Sequence, residues 1–269
     1  MGIAPEYVVA RRVLLDALTA LESHVTSLVL VGAQAVYLHT GDADLNVPLY
    51  TTDADLALDA DLLSENPDIG KVLRTAGFVP EKNPGHWVDG RGVAVDLMVV
   101  PHQSGTSKAS ARAARLAPHD KDTARIARGL EPALIDHAVV TIAALESGDA
   151  RAADVRVAGP AALLTAKAIK ISERLDQADA QPDRVKEKDA LDTFRVLQAV
   201  EVDVLVEGFR SHSAGDHAAV ATAEAIDIYR AHAATSDGRI AQLAAAAAGG
   251  DPAIAPSFAA LVQDLLDAL

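Results

Sequence analysis

Four large aliphatic residues, Leu28-Val29-Leu30-Val31, run into Gly32, and the chain passes at once into a helical-looking segment, Ala33 to His39. A run this short and uniformly apolar presents no polar face to water, so it reads as a strand buried on both sides. Such a strand belongs inside a sheet flanked by helices. Further strands are expected at Asp55 to Leu58, His86 to Val88, Val93 to Val100, Ile135 to Leu145 and Val155 to Ala158. Asp89-Gly90-Arg91-Gly92 supplies hairpin-turn residues that pair the Trp87 strand with the Val93 strand. Before the first strand, residues 6–24 read as an amphipathic helix, with Val9, Val13, Leu14, Ala17, Leu18 and Leu21 at three- and four-residue spacing.

From Pro160 onward the strands stop. Helices are expected at Pro160 to Leu175, at Asp183 to Val200 with Asp183 as N-cap, around Val220 to Ala233, and at Ala253 to Leu269. Gly159-Pro160 is a suitable entry to the first of these, because proline fits the first helical position and cannot continue a strand. The alanine-rich segment Ala241 to Gly250 reads as a poorly packed helix end or a linker. The expected fold is therefore α+β in two parts: residues 1–158 form a mixed sheet with flanking helices, and residues 159–269 form a helical lobe.

Composition excludes several chemistries. With no cysteine among 269 residues, disulfides, thiolate zinc sites, iron-sulfur clusters and cysteine nucleophiles are ruled out. Glu6, Arg11, Arg12 and Asp16 interrupt the early apolar stretches, and Leu28 to Leu38 is far shorter than the roughly 20 residues a membrane span needs. A cytoplasmic protein without a membrane partner is expected. The net charge of -14 argues against nucleic acid only on average. Residues 101–130 carry Lys108, Arg112, Arg115, Lys121, Arg125 and Arg128 against Asp120 and Asp122, whereas residues 201–269 carry three basic and ten acidic side chains. The usual fate of such a charged run is a solvated face.

Familiar motifs fail. Gly90-Arg91-Gly92 leads into a strand, Gly159 to Lys167 lacks the second glycine of a phosphate loop, the nine histidines show no metal-binding pair at helical spacing, and no Gly-x-Ser-x-Gly elbow exists. A carboxylate constellation remains. Asp-Ala-Asp occurs at Asp42 and Asp44, at Asp53 and Asp55, and at Asp59 and Asp61; only the middle copy runs directly into an apolar strand. Alternation places Asp53 and Asp55 on one face of that strand. Asp96 interrupts the apolar strand Val93 to Val100, where an ionised carboxylate needs a partner. Like charges about 4 Å apart repel by roughly 4 kcal/mol at an effective dielectric near 20, so clustered aspartates call for a cation. Magnesium, a hard ion bound by carboxylates together with substrate phosphates, suits them. In the helical half, Lys167, Lys170 and Arg174 share a face, and Asp189 and Asp192 share a stripe on the next helix.

With those pieces in place, the sequence resembles the AbiEii/MenT-like toxin family of nucleotidyltransferases, within the DNA polymerase β superfamily. The matching segments are Leu28 to Ala35, Thr51 to Leu58, Val93 to Val99, and Leu163 to Leu197. The resemblance implies a polymerase β-like sheet and magnesium-dependent transfer of a nucleotide from a nucleoside triphosphate (NTP) to an acceptor hydroxyl. By position, Gly32 starts the phosphate-binding turn, with Ala33 where a serine or second glycine is usual. Asp53 and Asp55 are the metal-binding pair. Asp96 is the third carboxylate, serving a second metal or the hydroxyl proton. Lys167 and Asp189 match the lysine and aspartate required for transfer, with Lys170 assisting Lys167 at the phosphates. The segment Val47 to Tyr50 lacks the arginine often found there. The family further implies an RNA acceptor such as a tRNA end and a cognate antitoxin, and the local charge of the basic stretch 108–128 makes it the expected docking surface. Two alternatives stay open: transfer to a small molecule or protein, and a catalytically degenerate binding module, which Ala33 favours.

Overall fold

The computed structural model describes residues 3–41, 47–108, 110–181, 183 and 185–269. The Asp42 and Asp44 pair lies outside the described residues. The chain divides into two compact units: Met1–Ala35 with Pro48–Ala127 and His137–Ala158, and Val36–Val47 with Arg128–Asp136 and Gly159–Leu269. Residues 36–47 and 128–136, placed by sequence in the N-terminal part, are thus grouped with the helices.

The first unit opens with helix α1 (Pro5–Ala20), whose three- and four-residue spacing buries Tyr7, Ala10, Val13, Leu14, Ala17 and Leu18. It stops short of residue 24, and residues 22–27 form a 3-10 turn. Polar groups turned inward account for this: His24, 1% exposed, bonds Pro67 O through Nε2 at 2.8 Å, and Ser27 Oγ donates to His24 O at 2.7 Å.

Eight strands among the described residues form one mixed sheet: β1 (Leu28–Val31), β2 (Asp53–Leu58), β3 (Val79–Pro80), β4 (His86–Val88), β5 (Ala94–Val99), β6 (Arg125–Ile126), β7 (His137–Ala143) and β8 (Ala152–Ala158). Their order is β3-β4-β5-β2-β1-β8-β7, with β6 on β5. All four residues of β1 are buried, as a central strand requires. It runs antiparallel to β2 and parallel to β8, and β2 runs parallel to β5. The expected hairpin joins β4 to β5 with Trp87 opposite Val95. Asp89 Oδ1 accepts from the amides of Arg91 and Val93, and Gly92 takes φ 81°. Trp87 is fully buried, donates from Nε1 to Thr123 O at 3.2 Å, and lies 5.3 Å from the Arg74 guanidinium. Helix α2 (Gly32–Thr40) follows β1 without a linker. Helix α3 (Ile69–Thr75), unforeseen in the sequence, is capped by Asp68, which accepts from Lys71 N at 2.7 Å.

The second unit contains α4 (Pro160–Asp176), α5 (Glu187–Ala199), α6 (Val202–Ser211), α7 (Asp216–His232), α8 (Arg239–Ala247) and α9 (Ile254–Ala268). Proline enters α4 as expected. Asp183 does not cap α5; the helix starts later, with Lys186 at the N-cap and no side-chain cap bond. Helix α6 was not anticipated. Gly208 inside it permits contact with α4, since a Cβ there would sit 2.7 Å from Ala161 Cβ. The alanine-rich stretch is the packed helix α8, which buries Ile240, Ala241 and Ala244. Tyr229 of α7 donates to Leu164 O at 2.8 Å, and Phe194 stacks on Phe258 at 5.8 Å between α5 and α9. Each such fully buried large side chain contributes about 1.5–3 kcal/mol of transfer free energy.

Candidate active site

Strand pairing carries three of the expected site residues to one place. Val31 is registered with Asp55, and Asp55 with Asp96. Directly opposed residues on neighbouring strands point to the same face of a sheet, so Asp53, Asp55 and Asp96 share that face. The apolar remainder of β2 and β5, Leu56 to Leu58 and Leu97 to Val99, is buried and anchors both strands.

Gly32 seats Asp55. Its φ is +69°, and a Cβ added there would fall 2.1 Å from Asp55 Oδ2. The position therefore needs glycine twice over, for its backbone conformation and for the carboxylate pressed against it. The first amides of α2 have no partner within the helix. Ala33, the next residue, is 5% exposed.

Asp53 is held from two directions. Thr51 Oγ1 donates to Asp53 Oδ1 at 2.8 Å, and Gln34 Nε2 donates to the Asp53 carbonyl at 3.0 Å. Gln34 Oε1 in turn accepts from Arg11 Nε at 2.9 Å, and Arg11 also donates to Tyr7 Oη at 2.8 Å and to Ala143 O at 3.0 Å. Arg11 is 3% exposed. A buried polar chain of this kind fixes the start of β2 relative to α2 because each member is hydrogen-bonded. Sequence reasoning missed Arg11, Thr51 and this use of Gln34; the polar Gln34 inside an apolar run was the available signal.

Asp96 is engaged on both oxygens. His86 Nδ1 lies 2.5 Å from Oδ1 and Arg125 Nη2 3.1 Å from Oδ2. Asp53 and Asp55, intermediate in exposure at the start of β2, form a pair of hard-oxygen donors on the same face. Among the described residues, no group of three or more His, Asp or Glu side chains is arranged to hold a metal. The donor set fits an ion such as magnesium, which is held by one or two carboxylates and completes its shell with water and substrate phosphates.

In the helical unit, Lys167, 5% exposed, donates from Nζ to Asp189 Oδ1 at 2.8 Å and to Asp192 Oδ2 at 2.7 Å. Asp189 also accepts from Lys170 at 3.1 Å and Arg174 at 2.5 Å, while Lys188 lies 3.4 Å from Asp192. Burial works against the Lys167 charge, but the two carboxylates outweigh it and hold its proton more tightly than in an ordinary lysine. Burial likewise opposes the charge on Asp189 and Asp192, and Lys167 with the neighbouring cations overrides it, keeping both carboxyls below the usual range. Four cations thus surround two anions. Lys170, Arg174 and Lys188 keep exposed or partly exposed side chains, whereas Lys167 is committed to its aspartates.

The basic stretch divides. Arg125 is bound to Asp96, and Arg128 to Glu173 and Glu224, leaving Lys108, Arg112, Arg115 and Lys121 as exposed cations.

A mixed sheet that sets an aspartate pair beside a glycine-started helix is the arrangement of a protein suited to handling phosphates. The profile of a family described as nucleotidyltransferase matches residues 12–204, a span that contains Gly32, Asp53, Asp55, Asp96, Lys167 and Asp189. The chain belongs to that family and is an NTP-dependent nucleotidyltransferase. No curated protein and no solved structure matches it. No helix among the described residues is long and apolar enough to cross a membrane.

Proposed function

We propose that the protein transfers a nucleotide from an NTP to the hydroxyl of an RNA acceptor, a tRNA end in particular, with magnesium, and that it is an AbiEii/MenT-like toxin restrained by a cognate antitoxin. The observation that carries the catalytic part is the register that brings Asp55, Asp96 and the Gly32 turn together. Asp53 and Asp55 would hold the ion, which when bound would supply charge neutralisation to the triphosphate. The amides at the start of α2, from Gly32 and Ala33 onward, are the proposed phosphate-oxygen donors, at the favourable end of the helix dipole. Asp96 faces the acceptor hydroxyl. That oxygen bonds to the α-phosphorus, its proton passes to Asp96, and the bond from the α-phosphorus to the bridging oxygen breaks as pyrophosphate leaves with the electron pair.

In the helical unit, Asp189 orients Lys167, Lys170 and Arg174 through ion pairs, and by the family's pattern Lys167 and Asp189 are the lysine and aspartate needed for transfer. The exposed cations Lys108, Arg112, Arg115 and Lys121 support RNA as the acceptor over a small molecule or protein.

The test is incubation of the full chain with each α-labelled NTP and total RNA, beside Asp55→Asn. Transfer onto RNA is expected, with a loss of about a hundredfold or more in the variant. Undiminished transfer by Asp55→Asn would overturn the site, and label appearing only on protein or small molecules would overturn the acceptor.

A further inference from the structure

The row formed by Asp55 and Asp96 continues one strand further, because His86 of β4 is the registered partner of Asp96. His86 therefore stands on the sheet face that carries the carboxylates. Its Nδ1 lies 2.5 Å from Asp96 Oδ1, while Arg125 closes on Oδ2 at 3.1 Å. The Asp96 side chain is 16% exposed and that of His86 31%, so the pair sits at the surface end of the row. The other ring nitrogen, Nε2, is 3.8 Å from Glu81 Oε2, beyond hydrogen-bond reach.

We propose that His86 is a positioning residue of the transfer site, acting through Asp96 with the help of Arg125. The inference rests on the proposed reading of Asp53, Asp55 and Asp96. A carboxylate gripped on one oxygen turns about its last bond, whereas one gripped on both, by donors from two different strands, keeps a fixed plane. Its remaining lone pairs then present in one direction, and the hydrogen bond from the attacking hydroxyl forms without reorganisation in the transition state. His86 supplies a donor at the Nδ1 position, a task that an asparagine amide nitrogen, the same number of bonds from Cβ, also performs.

The experiment compares the full chain with His86→Ala, His86→Asn and Arg125→Lys, using α-labelled NTPs and total RNA, with Asp55→Asn as control. His86→Ala is expected to lower kcat about tenfold or more and to leave KM for the nucleotide within about twofold. His86→Asn restores most of the loss, and Arg125→Lys falls between. An independent readout is the His86 imidazole N–H proton resonance, which is protected in the wild type, retained in Asp55→Asn and lost in Asp96→Ala. Wild-type kcat in His86→Ala overturns the inference, as does His86→Asn remaining as slow as His86→Ala. Should His86→Ala fail to fold, a resonance persisting in Asp96→Ala overturns it equally. If Asp55→Asn transfers normally, or the wild type transfers nothing, the underlying site reading falls; if Asp55→Asn is inactive and His86→Ala is normal, only the role of His86 falls.

Discussion

Replacing Lys167 by methionine removes the one cation shared by Asp189 and Asp192 and keeps the volume of its stem. Asp189 retains Lys170 and Arg174, but Asp192, 1% exposed, is left with Lys188 at 3.4 Å. Breaking a buried pair from one side costs about 3–5 kcal/mol, because the orphaned charge stays buried. For a chain of this size that lowers the melting temperature of the helical unit by roughly 10 °C. The pH dependence gives the sharper check. Asp189 and Asp192 have carboxyls held below the usual range, so their contribution is present above about pH 4 and is lost as pH falls through the lower folded values. Lys167 binds its proton more tightly than usual, so its contribution is present below about pH 10 and is lost as pH rises through the folded value. In the variant, the buried Asp192 takes up a proton on acidification, and the gap to wild type narrows between pH 7 and pH 4. Far-ultraviolet circular dichroism melts at several pH values measure this. Equal melting of the two proteins at pH 7, or a gap that widens on acidification, would refute the reasoning. Adding Asp192→Asn to the methionine variant returns part of the lost stability.

Two further outcomes follow from the geometry. Gly32→Ala forces a left-handed conformation on alanine at about 1–2 kcal/mol and drives a methyl into the Asp55 carboxylate, so transfer falls by more than the melting shift accounts for; transfer at the wild-type rate would contradict the contact. Reversing Arg112 and Arg115 to glutamate weakens RNA binding and flattens its salt dependence; filter binding across a salt series that superimposes on wild type removes this surface from the acceptor site.

Much of the candidate site was legible because its residues violate their surroundings. Asp96 stands out as a charge in an apolar strand, and Gly32 as the hinge between a buried strand and a helix, so local pattern alone marked both. The β4–β5 hairpin was legible from its turn residues. What grips these groups was not. Arg11 and Tyr7 on α1, His86 on β4 and Arg125 on β6 reach the site through pairings of strands and helices far apart in sequence, and no local period encodes which strand lies beside which. Helix α6 was obscured by Gly208, which weakens helical propensity but serves the approach to Ala161. The late start of α5 defeated Asp183 as a cap, since a favourable capping residue acts only where the chain turns into the helix.

The lone indole of the molecule, Trp87, belongs to the sheet-bearing unit and adjoins His86 in sequence. Its emission consequently follows that unit alone, while the four tyrosines are spread over both. Excited at long wavelength, the protein reports loosening of β4 without interference from the helices, so the two halves can be followed as separate optical channels in a single unfolding experiment.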